Sequence, residues 1–116
     1  MPALDIDAAV ALVIDKLGEA GVPAEADARD INPPMAWVTT GNLTIETLAG
    51  GGSLVVNIDL IAPNLGETET RPILNGMLHK ALTVISPDGP IETDRALPLR
   101  DGSMLPAYRI PVAVEL

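Results

Sequence analysis

The sequence predicts an α+β domain: a mainly antiparallel (mixed) sheet of about five strands with two helices packed on one face, in the order α-β-β-β-α-β-β. Three observations carry that expectation. Residues Ser53–Ala62, SLVVNIDLIA, alternate Leu54, Val56, Ile58 and Leu60 on one side with Val55, Asn57, Asp59 and Ile61 on the other. One wholly apolar face and one mixed face suit a central strand that packs helices on one side and meets a semi-polar surface on the other. One segment before it and one after it carry apolar residues at helical spacing, and turn dipeptides punctuate the rest.

The first helix is expected from about Asp5 to Leu17 or Ala20. Asp5 or Asp7 caps it and sets negative charge at its positive end, while Ile6, Val10, Val13, Ile14 and Leu17 form its apolar stripe. Gly18 and Gly21 end it, and the acidic connection AEADARD holds at most a brief extended piece. Asn32-Pro33-Pro34 then forces an extended path, because each proline fixes its own φ and restricts its predecessor. Met35–Thr40 and Leu43–Leu48 are expected to form a hairpin across Gly41-Asn42, a dipeptide suited to positive φ, with Ala49–Ser53 a flexible link into the central strand.

The second helix is expected over Glu67–Ile85, with Thr68 or Thr70 as cap and Pro72 tolerated in a first turn. Ile73, Leu74, Met77, Leu78, Ala81, Leu82 and Ile85 make its apolar stripe. Ile91–Arg100 and Met104–Leu116 are extended segments joined at Asp101-Gly102. Pro98, Pro106 and Pro111 lie within them, so bulges, edge positions or broken pairing are expected there. No repeat or linker divides the chain, and residues 1–116 read as one domain.

Composition excludes several functions. Seven Lys and Arg against 16 Asp and Glu give a formal charge of -9, which disfavours binding to a phosphate backbone. The absence of Cys removes disulfides, thiolate metal sites and Cys nucleophiles together. No apolar run approaches the ~20 residues that span a bilayer, and the N-terminus, interrupted by Asp5, Asp7 and Asp15, does not read as a signal peptide. The chain is expected to be made in the cytoplasm and to bind no membrane. Aromatic residues are 2% of the chain, so Trp37 and Tyr108 are its only rings.

No stretch carries a catalytic, cofactor or metal motif. His79 is the only histidine and falls on the polar side of the second helix; Glu25, Asp27 and Asp30 lack the glycine and closing glutamate of a calcium loop. Gly50-Gly51-Gly52 joins two strands, whereas a phosphate loop opens a helix; it reads as a hairpin tip that can order on docking, with Gly51 at its centre. Ser53, Ser86 and Ser103 have no base pattern. The contact candidates are therefore surfaces. Trp37 beside the rigid Pro33-Pro34 is either an interface anchor or the one large ring of the core. Asn57 and Asp59 make the central strand's second face too polar for a helical layer. Arg95, Arg100 and Arg109 lie on the last hairpin, either as a basic edge suited to an acidic neighbour or as scattered surface arginines.

An amphipathic helix ending near Gly21, the run Arg29-Asp30-Ile31-Asn32-Pro33-Pro34, the strand MAWV, the segment VVNIDLIAPN and a helix opened by an acidic, Thr-rich turn follow in order. In this order of elements the chain resembles the tail terminator (tail completion) proteins of phages with long, non-contractile tails, particularly those of actinobacterial hosts. The resemblance implies a virion structural protein without catalytic residues, cofactor or metal. It implies a homo-oligomer, a hexameric ring, that caps the tail tube, stops its polymerisation and joins it to the head. Its partners would be the major tail tube protein and a neck or head-completion protein, with DNA passing through the lumen without specific binding. Another head–tail connector or head-closure protein is the alternative; an enzyme or ligand-binding domain with Asp59, His79 or Tyr108 in a pocket is the reading from a different class.

Overall fold

The computed structural model describes residues 5–45, 52–63, 66–98 and 104–115. The elements are α1 (Ile6–Glu19), β1 (Ala24–Glu25), a single 3-10 turn at Ala28–Asp30, β2 (Met35–Ile45), β3 (Gly52–Ile61), α2 (Glu67–Leu82), β4 (Glu92–Pro98) and β5 (Met104–Glu115). The fold is α+β. Five strands form one mixed sheet in the order β1-β2-β3-β5-β4, parallel only between β1 and β2. The strand expected to be central is central.

Asp5 starts α1, its carboxylate accepting from the Ala8 N–H at 2.9 Å, and Gly21, at φ 87°, lets the chain leave the helix. Ala9, Val13 and Leu17 are buried, and with Leu74, Met77 and Ala81 of α2 they cover Leu54, Val56, Ile58 and Leu60 of β3. Both helices therefore lie on one face of the sheet, as the alternation in β3 requires. The α2 cap differs from expectation. Gly66 at φ 94° is the N-cap with no side-chain cap bond, and Thr68 and Thr70 lie inside the helix, where Thr70 Oγ1 donates back to the Pro63 carbonyl at 3.2 Å. Glu69 and Thr70 N–H already bond Gly66 O, so a side-chain cap is not needed for them.

The expected hairpin across Gly41-Asn42 is not formed. β2 runs straight through that dipeptide and pairs with β3 from Met35↔Ile61 to Ile45↔Gly52, with an irregularity between Thr40 and Leu43. One extra residue sits there, a bulge rather than a turn: Thr40 and Leu43 are three apart while their partners Val56 and Leu54 are two apart. Neither residue has positive φ, so the conformation that made the dipeptide look like a tight turn is not used. Glycine is favoured there by a close approach instead. A Cβ on Gly41 would stand 3.3 Å from Asn57 Nδ2 and 3.4 Å from Val55 Cβ. The third strand of the first half is instead β1, in the acidic connection. The β2–β3 link, with Gly51, and the Asp101-Gly102 turn, with Arg100, lie outside the described residues.

The prolines of β5, an inner strand, are placed by a simple rule: the N–H and C=O of one strand residue point to the same side. Pro106 O accepts from Ala62 N, one residue past the end of β3, and Pro111 O accepts from Asp88 N, on the side where β4 has already ended. Each missing N–H therefore falls where no ladder partner stands. Pro98 lies on the edge strand β4, and β4 itself carries a second irregularity between Glu92 and Arg95.

Candidate functional site

The second face of the sheet holds most of the candidate residues. One level of the register crosses all five strands: Glu25↔Trp37, Trp37↔Asp59, Asp59↔Arg109 and Arg109↔Glu92. Partners in register share a face, so this row places an aromatic ring and four charged groups side by side.

Asp59 is fully buried, and the fork of Arg109 closes on it: Nε donates to Oδ1 at 2.9 Å and Nη2 to Oδ2 at 3.0 Å. A two-pronged pair of this kind satisfies the carboxylate where water does not reach it. Arg109 keeps 27% of its side chain exposed. The hydrogen bonds it donates to Asp59, opposed by burial and helped by the charges of Asp59 and Glu92, raise its guanidinium above its ordinary pKa. Glu92 also accepts from Arg95 Nη1 at 2.9 Å, so charges alternate from Asp59 through Arg109 and Glu92 to Arg95. Arg95 Nε is buried without a hydrogen-bond partner among the described residues. Two of the three arginines expected to offer a basic edge thus have carboxylates of their own chain.

Beside this row lies a small apolar cluster of Ile61, Leu97, Leu105 and Ala107, with Ile31 and Trp37 against it. Trp37 is half-buried and its indole N–H donates to the Ala26 carbonyl at 3.1 Å. It is therefore part of a second small core while some of its side chain stays at the surface, where the anchor role is left open. Pro33 is half-buried and Pro34 exposed, across a cis peptide bond, and Pro34 lines an open groove with Pro23 and Pro72. On the other side of the row Thr39, Val55, Asn57 and Pro111 are half-buried and Ala113 is exposed.

Asp59, His79 and Tyr108 do not converge. Asp59 is on the second face, Tyr108 is in the helix-side core and His79 is on the exposed surface of α2. Tyr108 does line an open cleft between α2 and β4, with Thr70, Arg71, Thr93 and Asp94. Asp27 forms an ion pair with Arg29 at 2.7 Å, which raises the arginine's pKa through that hydrogen bond, and among the described residues no three His, Asp or Glu side chains come together as a metal site. No described helix is long and apolar enough to cross a membrane.

The sequence reasoning named Asp59 and Arg109 separately and missed that they are partners. The available signal was chemical: one acid and one arginine, each inside an otherwise apolar strand, need each other's charge. No family model, curated protein or solved structure matches this chain.

Proposed function

We propose that this chain is a virion structural protein of the tail-terminator kind, assembling as a ring, six-membered in the resemblance, that caps a tail tube and joins it to the neck. The observation that carries the proposal is the two-faced sheet. Both helices lie on one face, while the second holds a buried ion pair, a half-buried tryptophan and the semi-polar group Thr39, Val55, Asn57, Pro111 and Ala113. Such a face suits contact with neighbouring subunits: apolar enough to be worth covering, and fixed in shape by the Asp59–Arg109 fork. The charge of -9 supports a lumen that repels passing DNA.

Native mass spectrometry of the full chain, alone and mixed with tail tube subunits, tests the proposal. A ring, or arrest of tube growth at substoichiometric protein, is expected; a chain that stays monomeric and leaves tube growth unchanged overturns it. A neck protein of the same virion would instead bind the head-side component and leave tube length unaltered. The enzyme or ligand-binding reading rests on Tyr108, which lines the cleft between α2 and β4, and has less support because neither Asp59 nor His79 joins it there.

A further inference from the structure

We infer that the exposed edge of β2, Thr40–Ile45, receives a β-strand from a second copy of this chain. This rests on the ring-forming reading above and names the contact within it. β1 covers β2 only at Ala36 and Trp37. Ala36 N donates outward to Pro23 O, so on that strand the backbone groups of Val38 and Thr40 also point outward. The bulge shifts the parity by one, so Leu43 and Ile45 take over the same direction. All six residues from Thr40 to Ile45 are exposed, and no described element pairs with them on that side.

Natural edge strands are normally guarded by charge or proline. The opposite edge, β4, has both, in Glu92, Asp94, Arg95 and Pro98. The β2 edge has neither; its only irregularity is the bulge. Leu43 and Ile45, 37% and 55% exposed, add apolar surface on the helix side of that strand.

Charge identifies the occupant. Between Ile31 and Ile58 the only ionisable side chain is Glu46, in a chain whose net charge is -9. Two such chains repel through most of their surface, and this edge lets them meet without setting carboxylates against one another. A basic partner would be drawn to the acidic surface elsewhere. Strand addition supplies main-chain hydrogen bonds at Thr40, Leu43 and Ile45, and burial of Leu43 and Ile45 supplies the apolar part.

The test uses the full chain and two variants. Thr40→Pro removes an N–H that points away from β3, and Leu43→Lys puts a charge on the exposed edge. Sedimentation velocity over a wide concentration range measures assembly, circular dichroism checks the fold, and hydrogen exchange of the wild-type protein reads the edge amides directly. The expected result is wild-type assembly, weakened ~tenfold or more in both variants, with exchange at Thr40, Leu43 and Ile45 slowed ~tenfold or more on assembly. If Thr40→Pro fails to fold, Leu43→Lys and the exchange data decide. Assembly that both variants retain, without protection of those amides, overturns this inference and leaves the ring reading standing. A wild-type chain that is monomeric at every concentration overturns the inference, and the ring reading falls with it only if tube subunits also fail to recruit the chain. A two-fold dimer lost in both variants supports the edge contact and counts against the ring.

Discussion

Arg109 grips Asp59 with two parallel hydrogen bonds, 2.9 and 3.0 Å long, across the pairing of β5 with β3. The residues are 50 positions apart in sequence, so the pair ties the last strand to the middle of the chain. Arg109→Ala leaves a fully buried carboxylate uncompensated, and the variant is expected to lose about 3 kcal/mol in urea unfolding. Asp59→Leu with Arg109→Met should cost less than Arg109→Ala alone, since neither charge then remains. The folded pKa of Arg109 is raised, so its stabilisation is complete below the unfolded value and is lost only as pH rises through the folded one. Both lie well above the range in which the protein is handled, so the arginine contributes no pH dependence to stability near neutral pH.

Trp37 separates into two contributions. Trp37→Phe keeps an aromatic ring against the apolar cluster that includes Ile61 but loses the indole donor to Ala26, for a cost of about 1 kcal/mol. Trp37→Ala also loses the packing and should cost about 3 kcal/mol. Both variants remove the only tryptophan, so far-UV circular dichroism in urea, rather than fluorescence, follows the two unfolding transitions.

Gly41 is a contact glycine, not a turn glycine. Gly41→Val drives branched carbons into Val55 and Asn57 and is expected to cost about 2 kcal/mol, whereas a turn requiring positive φ is absent there. Chemical denaturation measures the loss, and exchange at Val55 and Asn57 amides locates it.

Gly66 carries a true conformational demand, with φ 94° and open space around it. Gly66→Ala should therefore destabilise by about 1 kcal/mol through backbone strain alone, and Gly66→Asn by less, because asparagine tolerates positive φ better. Thermal unfolding of the pair tests the ordering.

Ile58 lies at the middle of β3, fully buried beneath both helices. Ile58→Ala should cost about 3 to 4 kcal/mol, the largest single loss among aliphatic changes in that strand, because both helices and β5 are held in place around it.

The elements legible in the sequence were those set by local periodicity. Alternation in Ser53–Ala62 identifies the central strand and the side on which helices lie, and of the two expected caps, Asp5 or Asp7, the structure uses Asp5 while Asp7 sits in the first turn. Gly41-Asn42 misled because turns and bulges draw on the same small, permissive residues. The choice between them was made by β3, whose length lets β2 continue pairing to Ile45. Thr68 and Thr70 likewise looked like caps, but the positive φ of Gly66 starts α2 earlier. At the candidate site, the semi-polar second face was visible in Asn57 and Asp59, while the Asp59–Arg109 pairing depends on the register of β3 with β5. That register is a property of the assembled sheet, carried by no local pattern.

The row from Glu25 through Trp37, Asp59 and Arg109 to Glu92 divides the sheet crosswise. On one side of it stand the small cluster around Ile61 and Leu105; on the other, β2, β3 and β5 continue as a three-stranded ribbon along a molecule 50 Å in its longest dimension. Local opening follows such boundaries, because a segment frays as far as the first group whose exposure is expensive. In this ribbon Leu54, Val56 and Ile58, buried in the helix-side core, are met before the carboxylate of Asp59 is reached. Fraying is therefore held to the exposed far end of β2, Thr40–Ile45, and the Asp59–Arg109 pair stands behind that barrier as a second one.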